Sequence, residues 1–257
     1  MILFAALLGT TSASAASQLS GGAPAPVIHG RSPFTKEAKG IVTSQNWSGY
    51  AITGATFTDV QGSWIQPPAS CPTNQQEDAA FWVGIDGYSS TDDAVEQTGT
   101  DSDCNKGKKG GATPHYYAWW EIDTSTSTSS VTIPEPVSPG DQMSAEVSNA
   151  GGTYTLTLTD AGKWTYSPGP QTPSPTPQAS SAEWIAEAPS VCKKKCVPVK
   201  LANFGSVTFA GASANGASIA SFTSTQTKRI EMKKGKTVKA VPTALSGTGF
   251  TVSWAHN

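Results

Sequence analysis

The chain has 257 residues, 37% of them hydrophobic and only 14% charged, with 25 Gly, 18 Pro, 8 Trp, 8 Phe and 6 Tyr. That composition excludes a coiled coil, which would be rich in Ala, Glu, Lys, Leu and Arg, and a disordered chain, which would lack aromatics. A net charge of −2 provides no field to recruit nucleic acid or an anionic membrane.

Met1 to Leu8 is a short apolar run followed by small residues and Ala13-Ser14-Ala15, an A-x-A cleavage pattern. A signal peptide over residues 1–15 is expected, although no Lys or Arg precedes the apolar run. Residues 16–43 carry Gly, Pro and isolated charges without apolar period. They read as a pro-segment or flexible N-terminal tail. From Ser44 the texture changes to short alternating runs, such as Met143/Ala145/Val147, Tyr154/Leu156/Leu158 and Phe250/Val252/Trp254. Period two with Gly, Pro, Asn and Ser breaks predicts strands, so residues 44–257 are expected to form one all-β sandwich of two antiparallel sheets.

Asp86-Gly87 is a turn dipeptide between two apolar runs, and the midpoint of Cys71 and Cys104 falls beside it. In a hairpin, residues equidistant from the turn face one another, so a Cys71–Cys104 disulfide is expected to close its open end. Cys192 and Cys196 would close a second, small loop. Zinc is the rival use, but the cysteine spacing lacks paired C-x-x-C knuckles and the three His are scattered, so no metal is expected. The Pro-rich stretch 167–178 reads as a surface loop within the domain. The basic stretch from Lys228 to Lys239, with Gly235 at its centre, reads as a solvated hairpin.

Nucleophilic hydrolase motifs are absent: there is no G-x-S-x-G elbow, P-loop or H-E-x-x-H. What remains is carboxylates and amides among aromatics. On a strand, Tyr117, Trp119, Glu121 and Asp123 share one face, a mixture suited to the floor of a groove. Glu183 and Glu187 share a face as well, with Trp184 on the other. Gln97 and Asp101 would point the same way on their strand. Simple solvent-facing strands would produce the same spacing.

Six segments in order extend that reading: Asn46-Trp47-Ser48-Gly49-Tyr50, Trp82-Val83-Gly84-Ile85-Asp86-Gly87, Gln97-Thr98-Gly99-Thr100-Asp101, Ala118-Trp119-Trp120-Glu121, Ala182-Glu183-Trp184-Ile185 and Phe204-Gly205-Ser206-Val207. Together they resemble the glutamic peptidases, or eqolisins, from about Ser44 to the C-terminus. The resemblance implies a concanavalin-like β-sandwich and a secreted, extracellular, acid-active endopeptidase. It maps the catalytic pair onto Gln97 and Glu183, with Trp47, Trp82, Asp86, Asp101, Trp119 and Glu121 as substrate-binding or supporting groups. Glu183 would be general base and acid; Gln97 would donate to the oxyanion and help hold the water. No metal, cofactor or covalent intermediate is implied. The expected enzyme is a monomer acting on polypeptides, without nucleic-acid or membrane partners. This chain departs from the fungal members at Tyr117, where they carry Asp, and at Ile122-Asp123-Thr124, where they carry an aromatic pair and Pro. The rival reading is a secreted carbohydrate-active or carbohydrate-binding sandwich, with Glu121 and Glu183 as its nominal carboxylates.

Overall fold

The computed structural model describes residues 27–29, 34–38, 41–72, 74–89, 94–107, 110–124, 130–192 and 196–256. The expected signal peptide, residues 1–15, lies outside them. The first strands in chain order are β1 (Val27–Ile28), β2 (Phe34–Ala38), β3 (Ile41–Ser44), β4 (Trp47–Thr53), β5 (Asp59–Ile65), β6 (Glu77–Asp78) and β7 (Ala80–Ile85). Two long strands, β8 (Ala94–Lys106) and β9 (Ala112–Thr124), precede β10 (Ser130–Ile133), β11 (Gln142–Ala150), β12 (Thr153–Asp160) and β13 (Trp164–Tyr166). The chain ends with β14 (Ser181–Glu187), β15 (Ser190–Cys192), β16 (Cys196–Pro198), β17 (Lys200–Leu201), β18 (Ser206–Ala214), β19 (Ala217–Ser218), β20 (Thr227–Lys234), β21 (Thr237–Pro242) and β22 (Phe250–Trp254). β1 and β2 fall within the segment read as a pro-segment or tail.

One layer runs β10-β9-β8-β7-β14-β4-β20-β21-β22, antiparallel throughout. β18 joins the layers: Ser206–Phe209 pairs with β22, and from Ala210 it pairs with β5, across a register shift between Ala210 and Ser213. A bulge of this kind bends a strand, which lets it serve two sheets. The second layer continues β5-β11-β12-β13. The all-β sandwich expected from the alternation is the fold observed, with parallel pairing added where β3 lies on β20 and β17 on β6.

The alternation is realised as burial. In β12 every second residue (Tyr154, Leu156, Leu158, Asp160) is buried, and β11 buries Met143, Ala145 and Val147. These meet Phe81, Val83, Ile85, Ala182, Trp184 and Ala186 from the first layer in one core. A fully buried large apolar side chain contributes about 1.5–3 kcal/mol relative to exposure. Trp184 reaches across the layers, its indole N–H donating to the Gln61 carbonyl at 2.8 Å. The basic hairpin forms, with Gly235 at φ 62° between β20 and β21, but it is not solvated throughout: Lys239 is buried, and burial lowers its pKa to about 8.

The Cys71–Cys104 disulfide is present, with a Cα–Cα distance of 5.5 Å. Its structural basis differs from the expected one. The β7/β8 ladder, from Ala80↔Asp101 to Ile85↔Glu96, is symmetric about a point between residues 90 and 91, not about Asp86-Gly87. Cys104 therefore lies opposite Glu77. Cys71 reaches it from the segment just after the Ser70↔Asn203 bridge rather than from the facing strand. Cys196 is also disulfide-bonded, and its ladder partner in the β15/β16 hairpin is Cys192.

Candidate active site

Opposed residues of an antiparallel pair point to the same side, and the side alternates along each strand. The face of β14, β7, β8 and β9 turned away from the core is therefore a grid of three rows. The first row is Glu183, Gly84, Gln97, Glu121; the second is Ile185, Trp82, Gly99, Trp119; the third is Glu187, Ala80, Asp101, Tyr117. Trp47, opposite Glu187, and Ala51, opposite Glu183, extend the grid onto β4. The apolar members form a small second cluster with Val42 and Ile230, separate from the main core.

Two glycines shape this face. Gly84 stands between Glu183 and Gln97, so the two backbones are ~10 Å apart with no side chain between them. A Cβ at Gly84 would lie 3.0 Å from the Gln97 Cβ and 3.1 Å from Cζ3 of Trp82. Gly99 lies between Trp82 and Trp119 where the facing strand leaves no room for a side chain; a Cβ there would sit 2.2 Å from the Phe81 carbonyl oxygen and 2.6 Å from the Trp82 Cβ.

Every carboxylate and amide of the grid is buried, and Tyr117 is partly so. Glu183, Gln97, Glu121, Glu187 and Asp101 all have 0% relative exposure, which sets aside the reading of these carboxylates as solvent-facing strand residues. Asp101 accepts from the Trp119 indole N–H at 2.6 Å and from the Tyr117 hydroxyl at 2.9 Å. Glu187 accepts from the Trp82 indole at 2.8 Å and from the Asn46 amide at 3.2 Å. Trp47 packs edge-on against Trp82, with ring centroids 4.9 Å apart.

His29, which the sequence reading passed over, is inserted into this face. Its ring lies flat on Trp119, with centroids 3.5 Å apart and planes 3° from parallel. Nε2 is 3.2 Å from Asp101 and Nδ1 is 3.2 Å from Glu121. Its backbone N–H donates to the same Glu121 oxygen at 3.0 Å, and its carbonyl accepts a hydrogen bond from the Gln97 side-chain amide. The only local signal was a short apolar pair, Val27-Ile28, inside a Pro- and Gly-rich stretch.

The electrostatics follow from burial and these partners. Burial by itself lowers the His29 pKa, but Asp101 and then Glu121 outweigh it and hold it up at about 10. Burial pushes Glu187 up to about 8, against the lowering influence of His29 and of the Trp82 N–H. Burial, then the neighbouring Asp101 charge, raises Asp78 to about 7 and Asp103 well above the usual carboxylate range. The same two causes lift Tyr117 well above an ordinary phenol.

Of the residues singled out from sequence, Gln97, Glu183, Trp47, Trp82, Asp101, Trp119 and Glu121 come together on one face. Asp86 does different work. At φ 70° it ends β7, and its carboxylate accepts from the backbone N–H groups of Ala179 and Ser180. It thereby fixes the chain just before the strand carrying Glu183.

Comparison with known proteins accords with this geometry. The model of the Peptidase A4 family matches residues 45–254. Among solved structures, the chain is similar to scytalido-glutamic peptidase with a transition-state analogue inhibitor, at 24% identity over 82% of this chain and 98% of that one, with a TM-score of 0.68. It is also similar to SCP-B, an eqolisin solved with the tripeptide Ala-Ile-His, at 24% identity, the same coverage and a TM-score of 0.63. No curated protein matches in sequence. With the family match spanning nearly all of the sandwich and its six motifs falling in order on these strands, the chain belongs to the Peptidase A4 family of glutamic endopeptidases.

Proposed function

We propose that the chain is a secreted, acid-active endopeptidase in which Glu183 and Gln97 form the catalytic pair. The observation that carries this is the row Glu183–Gly84–Gln97. A carboxylate and an amide stand on either side of a glycine with no side chain between them, so that a peptide carbonyl and a water would meet both. Ionised Glu183 takes a proton from the water as its oxygen attacks the carbonyl carbon, and returns it to the leaving nitrogen. The Gln97 NH₂ donates to the developing oxyanion, while its carbonyl oxygen orients the water.

The environment favours acid operation. Glu187 and Asp78, with pKa values near 8 and 7, are protonated under acidic conditions, so Glu183 works without several like charges around it. Polypeptide is the substrate class this groove suits. The SCP-B tripeptide ends in Ile-His, as does this chain's own Val27-Ile28-His29 at the site. The carbohydrate reading is poorly served, because Glu121 and Glu183 stand three strand spacings apart, ~14 Å at the backbone, with Gln97 between them. An expected leader at residues 1–15 and the Cys71–Cys104 bond support an extracellular location.

The test is digestion of a denatured protein at acid pH with sequencing of the products. Wild type should cut and Glu183→Gln should not; proteolysis by Glu183→Gln would overturn the assignment.

A further inference from the structure

Gln66, just past the end of β5, is a fully buried amide on the core side of the sheet, behind the groove. A buried amide is costly unless its hydrogen-bonding groups are satisfied, and every one of them on Gln66 is engaged. Its backbone N–H donates to the Asp141 carbonyl and its carbonyl accepts from the Gly140 N–H, both at 2.9 Å, which ties it to the turn before β11 in the second layer. Its side chain reaches the first layer. The NH₂ donates to the Asp101 backbone carbonyl at 2.9 Å and to the Ser102 hydroxyl at 2.8 Å, and the carbonyl oxygen accepts from the Thr100 hydroxyl at 2.5 Å. Thr100 in turn accepts from the Trp64 indole at 3.1 Å, and Ser102 donates to the Pro67 carbonyl at 2.7 Å. One side chain thus holds three consecutive residues of β8 from behind. Turning the amide over would set its oxygen against the Asp101 carbonyl oxygen, so a single orientation is fixed.

On the groove side, the Asp101 carboxylate accepts from the Trp119 indole and from the Tyr117 hydroxyl. It therefore sets the two rings that wall this part of the groove. We propose that Gln66 is a positioning residue for substrate binding: by holding residues 100–102 it aims the Asp101 carboxylate, and through it Trp119 and Tyr117, at the peptide. The proposal rests on the peptidase reading above. Gln66 touches no reacting group, and Gln97 is held separately, by β7 and β9 on either side of its strand. Loosening Gln66 should therefore weaken binding and leave the chemical step nearly intact. A site built on a strand is only as exact as the packing behind it. Here that packing includes the second layer, so the turn at Gly140 and Asp141 is coupled to the groove.

The test is steady-state kinetics on a short peptide at acid pH, beside thermal melts and proton–nitrogen NMR spectra of the indole groups. Kinetics are measured in the His29→Ala chain, whose N-terminal segment lacks the ring contacts that would compete with the peptide. Gln66→Met keeps the length of the side chain without the amide, and should raise KM about tenfold with kcat within about threefold. The Trp119 indole proton, identified by its loss in Trp119→Phe, should move upfield as its bond to Asp101 lengthens. Gln66→Glu, a neutral acid when buried at acid pH, retains one donor and one acceptor and should recover most of both readouts. If Gln66→Met does not fold, Thr100→Val, which frees the amide to rotate, should move both readouts in the same directions by less. A folded variant with the KM of the reference chain, or with an unmoved Trp119 resonance, overturns the proposal and leaves the peptidase reading standing. A loss confined to kcat overturns it as well. If the reference chain hydrolyses no peptide, both fall.

Discussion

The side-chain amide of Gln97 donates to the backbone carbonyl of His29, 68 positions earlier in the chain. An N–H donor on a peptide carbonyl oxygen is the contact that the proposed oxyanion site would make with a substrate. The contact joins the N-terminal segment to the strand at the centre of the site face.

Loss of either half of the pair should abolish or cripple turnover by different routes. Glu183→Gln preserves shape but removes proton transfer, so proteolysis should vanish while the thermal midpoint is retained. Gln97→Ala removes an oxyanion donor and should lower kcat on the order of 10²–10³-fold, with KM much less affected. Steady-state kinetics on a short peptide, beside thermal melts, separates the two.

Glu187 is the control on the same strand face. With its pKa near 8 it is a neutral acid at acid pH, and Gln is nearly isosteric with that form. Glu187→Gln should keep most of the wild-type activity below pH 6. Glu187→Ala leaves the Trp82 indole and Asn46 amide buried without this acceptor and should cost about 1–3 kcal/mol in denaturant melts. Because the fold holds this proton more tightly than the unfolded chain, the Glu187 contribution to stability should be lost as pH rises from 4.5 to about 8.

Docking of residues 27–29 should depend on pH with a defined sign. His29 is raised from 6.5 to about 10 when buried. The ion pairs therefore contribute fully below 6.5 and fade as pH rises through about 10. The groups facing the ring or close to it are Asp101, Glu121, Tyr117, Glu187 and Asp78. In the Glu183→Gln chain, hydrogen exchange at Ile28 and His29 should be slower at pH 6 than at pH 9.5, after correction for intrinsic rates. Asp101→Asn should reduce that difference; an equal rate at both pH values would refute the coupling.

Filling the glycine gap should stop catalysis without unfolding the sandwich. Gly84→Ala places a methyl group 3.0 Å from the Gln97 Cβ and from the Glu96 carbonyl oxygen, displacing the amide. A stability loss of about 1–3 kcal/mol is expected for such overpacking, with activity lost far out of proportion. Gly99→Ala, 2.2 Å from a backbone oxygen, should instead fail to fold properly, which soluble yield would reveal.

Removing the Cys71–Cys104 bond by a double Ser substitution should cost ~2–4 kcal/mol. Cys104 sits near the end of the strand that carries Gln97, so protection at that end should fall first. Hydrogen exchange along β8 would show it.

Strand period was enough to place Tyr117, Trp119, Glu121 and Asp123 on one face, and to set Glu183 and Glu187 opposite Trp184. That property is local: side chains alternate along any strand, and a reader of the sequence needs only the start of the run. The cysteine pair was also legible, although for the wrong reason, because chain midpoints do not fix a hairpin register. Only the tertiary structure decided which residue of β14 lies across from which residue of β8, 86 positions away along the chain for Glu183 and Gln97. That alignment depends on how β7 packs between them, where Trp82, Val83 and Ile85 are buried to fixed sides and Gly84 places no side chain between Glu183 and Gln97. The burial of Glu187 and the seating of His29 were invisible for the same reason. Both arise from contacts between distant segments, His29 with Trp119 and Glu187 with Trp82 and Asn46, whose energies appear only once the sheet brings those segments together.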